Sequence, residues 1–103
     1  MIARYRVQYS SKAISELVGI YAYIARDSPE KAEETIEWIL GKVAGLELFP
    51  HRQKVHDARK RIAGDVRSYP IEKYVVFFEI VELETVVHVL RIRHGSQRPL
   101  RRF

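Results

Sequence analysis

The sequence predicts an α+β fold, in which an N-terminal strand and an antiparallel helical hairpin pack on a small, mainly antiparallel sheet. Three observations predict it. Apolar residues recur at helical spacing through the first half, and from Val66 onward the period changes to two. Between them, Asp27-Ser28-Pro29 divides the helical half in two, because a capping residue before a proline starts a new helix.

The elements follow in order. Tyr5 to Tyr9 is a short extended segment, after which Ser10 and Ser11 offer an N-cap. Ile14, Leu17, Val18, Tyr21, Ile24 and Ala25 then place a first helix over Lys12 to Arg26, with that stripe expected to face inward. A second helix from Pro29 to about Glu47 carries Ala32, Ile36, Ile39, Leu40 and Val43 on one stripe. Joined so tightly, the two helices form a hairpin with facing apolar stripes. Phe49-Pro50 ends the second helix, and residues 51–63 read as a polar, basic loop. Val66 to Ile71, Tyr74 to Val81 and Val86 to Arg93 read as strands. Their connections, Glu72-Lys73 and Glu82-Leu83-Glu84, are short enough for antiparallel hairpins. Pro70 lacks an N–H for the ladder, so the first of these strands lies at an edge or ends there.

The 103 residues, 47% of them hydrophobic, are expected to form one domain spanning 1–103. With no cysteine there is no disulfide, thiolate metal site or cysteine nucleophile. The first residues lack the apolar stretch of a secretion signal. No apolar run reaches the length of a membrane span, the longest candidate being interrupted by Glu79. A soluble, cytoplasmic protein is expected. The net charge of +5 is unevenly placed: residues 1–50 hold 6 basic and 7 acidic residues, residues 51–103 hold 12 and 6. One basic cluster is Arg52, Lys54, Arg59, Lys60 and Arg61. The other is Arg91, Arg93, Arg98, Arg101 and Arg102. Such a field suits an acidic partner, either nucleic acid or an acidic protein segment, although charge runs are also ordinary solubilising surface.

Several motifs, in this order, resemble one family. They are L-x-x-I-x-x-Y-I-A at 17–25, D-S-P-E-K-A at 27–32 and L-x-x-F-P at 46–50. Arg67, Y-V-V-F-F at 74–78 and V-L-R-I-R-H-G at 89–95 follow. Together they cover almost the whole chain and resemble the RelE/ParE toxins of bacterial type II toxin–antitoxin systems. The serine before proline at the helical turn and the closing H-G resemble the ParE side. That resemblance implies a toxin without cofactor, inhibiting DNA gyrase and neutralised in a hetero-oligomer by a cognate ParD-like antitoxin, with DNA met only through those partners and no membrane involved. The RelE side would imply a ribosome-dependent mRNA endoribonuclease, an mRNA interferase. Such nucleases typically carry a tyrosine or histidine near the C-terminus; here no tyrosine follows Tyr74.

Cutting RNA through its 2′-OH needs a base, an acid and cations on the phosphate. His94 is the candidate base or acid, and Arg67, Arg91 and Arg93 the candidate cations. Arg91 and Arg93 share a side of their strand, whereas His94 projects to the other side or caps the strand end, with Gly95 turning the chain. Geometry precedes titration in naming a base, so no residue is assigned as catalytic. His51 and His56, beside Asp57, and His88 and His94 are too loosely spaced to define a metal site. Trp38 lies away from the inward stripe, on a face shared with Glu34, Gly41, Lys42 and Gly45. That platform, with Arg67, Arg91 and Arg93, is the candidate antitoxin surface, since tryptophan is enriched among binding hot spots. The alternative is that Trp38 folds back over the first helix near Tyr23. His94, Arg98, Arg101 and Arg102 are the candidate target-binding residues.

Overall fold

The computed structural model describes residues 4–55, 66–100 and 103. Strand β1 (Arg6–Tyr9) leads into helix α1 (Ser11–Ala25) and helix α2 (Pro29–Ala44). After two short 3-10 turns come β2 (Lys54–Val55), β3 (Val66–Ile71), β4 (Tyr74–Val81) and β5 (Val86–His94). The sheet order is β1-β5-β4-β3-β2, with β1 parallel to β5 and every other pair antiparallel. This is the expected architecture of two helices on a mainly antiparallel sheet. Residues 51–63 differ from expectation in part, because Pro50–Arg52 forms a 3-10 turn and Lys54–Val55 pairs with Ser68 and Arg67. The rest of that basic segment lies outside the described residues. Strand β2 reaches only those two partners, so Pro70 sits beyond it on the outer edge of β3.

Both helix starts are capped as their sequences require. The Ser10 hydroxyl accepts from the Ala13 amide at 3.0 Å, and Ser28 accepts from Lys31 at 3.2 Å with Pro29 opening the helix. Helix α2 ends at Ala44, earlier than expected, and Gly45–Glu47 tightens into a 3-10 turn. Its inward stripe holds largely as expected: Ala32, Ile39 and Val43 are buried, although Leu40 is exposed. With Val76, Phe78, Val87, Val89 and Ile92 from the sheet, Ile39 and Val43 form the core.

Helix α1 departs from expectation. Its core-facing residues are Ala13, Leu17 and Ile20, while Ile14, Val18 and Tyr21 are 51%, 62% and 39% exposed. The cause is Glu16. Strand β1 ends at Tyr9, so the second half of β5 has no strand neighbour on that side. Helix α1 supplies the missing partners with side chains. The Ser10 hydroxyl donates to the Leu90 carbonyl at 2.7 Å. The Glu16 carboxylate accepts from the Ile92 amide at 2.8 Å and from the Arg91 guanidinium, with Nη2 at 2.7 Å and Nε at 3.1 Å. A register shift at Phe77/Phe78 leaves Leu90 without an opposite residue, a bulge in β5. Turning Glu16 to the sheet edge turns Ile14 and Val18 away from it.

Thr85 closes the β4–β5 connection in the left-handed region at φ 51°. A β-branched residue there is strained. Thr85→Gly is therefore expected to raise the unfolding free energy by about 0.5–1 kcal/mol, the relief being partly offset by glycine's greater freedom in the unfolded chain. Urea denaturation checks it, and a loss of stability would count against the strain.

Candidate protein-docking site

Between the tip of the helical hairpin and the β3–β4 turn the fold leaves an open groove of about 990 Å³. Its floor is apolar, built from Ile20 of α1, Ile39 of α2, Ile71 of β3 and Ile92 of β5. Aromatic groups form its rim: Tyr23, Trp38, Tyr74 and His94. Lys31 and Lys73 stand at the margin beside Glu72. Trp38 is 49% exposed and Tyr23 72%, so neither ring is spent on the core. Tyr23 also lies beneath the Arg26 guanidinium, 5.9 Å from ring centroid to Cζ. Burial, and then the nearby Tyr23 phenol, push Tyr74 above its ordinary value, so its hydroxyl stays protonated at cellular pH.

His94 ends β5 at this rim, meeting Tyr74 edge-on with ring centroids 5.5 Å apart. Its Nδ1 accepts from the Ser96 amide at 3.1 Å and lies 2.7 Å from the Ser96 hydroxyl. An Nδ1 that accepts from an amide carries no proton, which puts the proton of the neutral ring on Nε2. The His94 amide donates to Gln97 Oε1, and the Gly95 amide to the Lys73 carbonyl at 2.7 Å. His94 thus caps the strand and Gly95 turns the chain.

The remaining sequence-predicted residues are dispersed. Arg67 pairs with Phe78, on the helix side of the sheet near its far edge, and donates to the carbonyls of His51 and Gln53 at 3.3 and 2.7 Å. Arg91 is held by Glu16. Arg93 stands opposite Val75, on the face away from the helices, and makes no ion pair among the described residues. Arg98 is exposed, and Arg101 and Arg102 lie outside the described residues. The structure therefore does not bring Arg67, Arg91, Arg93 and His94 together. Trp38 and Gly41 do adjoin, flanking a shallow concavity with Glu34, Glu37 and Lys42. A Cβ on Gly41 or Gly45 would meet nothing within 4 Å, so packing within the chain does not require either glycine.

Sequence reading named Trp38 but missed the groove's floor and Tyr74. Ile71 and Ile92 belong to separate strands, and only the sheet order sets them beneath the hairpin. Tyr23 was legible in outline, since an antiparallel hairpin returns Trp38 to its neighbourhood.

Several solved structures share this fold. A chain of the chromosomal ParDE toxin–antitoxin system from P. aeruginosa is 22% identical, with a TM-score of 0.73 over 91% of this chain and 99% of that one. A chain of the RelBE2 toxin–antitoxin complex from Mycobacterium tuberculosis is 22% identical, with a TM-score of 0.60 over 88% and 98%. A chain of the archaeal RelE–RelB complex from Pyrococcus horikoshii OT3 is 15% identical, with a TM-score of 0.63 over 92% and 99%. No curated protein matches the sequence. The fold is that of the RelE/ParE superfamily of toxins. Residues 7–99 match the family described as the ParE toxin of type II toxin–antitoxin systems, parDE, and the chain belongs to that family.

Proposed function

We propose that this ParE-family toxin inhibits DNA gyrase by binding it, and that a ParD-like antitoxin silences it by occupying the groove between hairpin and sheet. The observation that carries a binding mode over a cutting one is the dispersal of the arginines. Arg67 is spent on backbone carbonyls, Arg91 on Glu16, and His94 on its own strand end. An RNA-cutting site needs base and cations around one phosphate. The groove has the opposite character, an apolar floor with exposed aromatic rings, which suits the apolar face of a partner helix. The antitoxin's anchors approach Trp38 and the bare backbone at Gly41 and Gly45. Lys31 and Lys73, which line the groove, favour an acidic segment beside them. Arg98 and the rest of the basic tail remain for the target.

The test is a plasmid supercoiling assay with gyrase and micromolar purified toxin, paired with a translating extract in which message integrity is followed. Expected are loss of supercoiling, reversal by added antitoxin, and intact message. Undiminished supercoiling would remove the gyrase target, and cleaved ribosome-bound message would replace it with an mRNA interferase.

A further inference from the structure

Residues 95–103, Gly-Ser-Gln-Arg-Pro-Leu-Arg-Arg-Phe, carry three arginines and no acidic residue. Their root is clasped at the groove rim. The Gly95 amide donates to the Lys73 carbonyl at 2.7 Å, and the Gln97 amide to the His94 carbonyl at 3.0 Å. Gln97 Oε1 returns the contact by accepting from the His94 amide at 2.8 Å. Pro99 then narrows the backbone freedom of Arg98 as well as its own. The far end of the segment is held on the other side of the sheet. Phe77 lies between Val76 and Phe78 of the core, so its ring stands on the face turned from the helices. The Phe103 ring packs on it, with centroids 5.1 Å apart and planes inclined by 54°. The Phe103 carbonyl also accepts from Lys12 Nζ at 3.3 Å, at the start of α1. Gly95 to Pro99 are exposed, whereas Leu100 and Phe103 are half-buried. The segment is thus fastened at both ends and open near its root. Arg98, in the open part, makes no ion pair among the described residues.

We infer that Phe103 is a positioning residue for target binding. Seated on Phe77 and fastened by Lys12, it holds the basic segment as an ordered limb that presents Arg98 to an acidic surface of the target. The inference rests on the reading that the basic tail meets the target, and adds what fixes the tail's course. A flexible segment loses backbone freedom when a partner orders it, and that loss is subtracted from affinity. Here folding has already imposed the order, offset by the contact of the two rings and the Lys12 hydrogen bond. Neither Phe77 nor Phe103 belongs to the core cluster, so their contact is not what closes the fold. The anchor is also separate from the antitoxin's surface. Ser96 and Gln97, at the root, line the groove, whereas Phe77 and Phe103 do not.

Backbone nitrogen relaxation and supercoiling inhibition test this together, on the full chain, Phe103→Ala, Phe77→Ala and Phe103→Tyr. In the wild type the amides of residues 96–98 and 100–103 are expected to be as rigid as those of β5. Either alanine variant is expected to give them fast motion while β4 and β5 stay ordered. Phe103→Ala leaves the sheet untouched, and so decides the matter should Phe77→Ala fold poorly. The toxin concentration for half-inhibition is expected to rise at least about tenfold in both alanine variants. It should return to within about twofold of wild type in Phe103→Tyr, which keeps the ring. Inhibition at saturating toxin should stay complete, since the arginines are still present. Antitoxin affinity is expected to stay within about twofold of wild type. A wild-type tail that is already mobile overturns the inference. So do alanine variants whose tails loosen with no loss of potency. A wild type that leaves gyrase untouched removes the gyrase target instead. Growth arrest on induced expression then replaces supercoiling as the measure of potency, judged by the same fold-changes.

Discussion

Glu16→Ala is expected to lower the unfolding free energy by about 3 kcal/mol. The carboxylate serves two donors at once, the Arg91 guanidinium and the Ile92 amide, and the side chains of the ion pair are 17% and 22% exposed. Truncation leaves a largely covered guanidinium without its counter-charge and an edge amide without an acceptor. Surface pairs contribute about 0–1 kcal/mol, and what separates this one from them is the desolvation of both groups. Glu16→Gln, which keeps an oxygen for Ile92 but no charge for Arg91, should lose about half as much. Replacing both partners, Glu16→Leu with Arg91→Met, should recover most of the loss, because no charge is then left uncompensated. Urea unfolding of the four proteins decides it. A Glu16→Ala loss below about 1 kcal/mol would make the pair an ordinary surface contact, and α1 would then be oriented by something else.

The same pair explains where sequence reading of the fold ran out. The strands β3 and β4 were legible to the residue, because alternation, short turns and Pro70 all point the same way. Helix α2 was legible for a similar reason: its charges occupy one side and its apolar residues the other. Helix α1 has apolar residues on two sides and one internal charge, so periodicity identifies a helix without saying which stripe is inward. The choice is made by a contact between residues 75 positions apart, which no local pattern contains. Reading Ile14, Val18 and Tyr21 as inward followed from their helical spacing alone.

For the site, the legible part was what a single helix displays. Trp38 beside Gly41 could be placed outside the inward stripe from helical geometry alone. The arginines could not be assigned their partners, because alternation puts Arg91 and Arg93 on one face of β5 without revealing that α1 wraps the edge to reach Arg91. Likewise the relation of Arg67 to His51 and Gln53 depends on β2, two residues long, in a stretch that reads as loop. Cations that look available in a sequence are often already bound to backbone or to a distant carboxylate, as Arg67 and Arg91 are here.

Trp38→Ala is expected to weaken antitoxin binding by about 2 kcal/mol or more, roughly thirtyfold in affinity. Half of the indole is exposed in the free chain, and a partner helix lying in the groove covers the rest, so the ring supplies a large apolar area at little entropic cost. The loss should fall mainly on the dissociation rate, since the charges that steer encounter are untouched. Stability should change by under about 0.5 kcal/mol, the ring being outside the core. Gly41→Ala separates this surface from a merely solvated one. A Cβ there meets nothing in the chain, so helix propensity should raise stability by as much as about 1 kcal/mol. If the antitoxin lies against that bare backbone, the same substitution weakens its binding while it strengthens the fold. Tyr23→Ala, across the groove, should weaken binding and combine with Trp38→Ala non-additively if one apolar anchor touches both rings. Unchanged antitoxin affinity in both Trp38→Ala and Tyr23→Ala would place the partner elsewhere on the molecule and leave the groove without an assigned occupant.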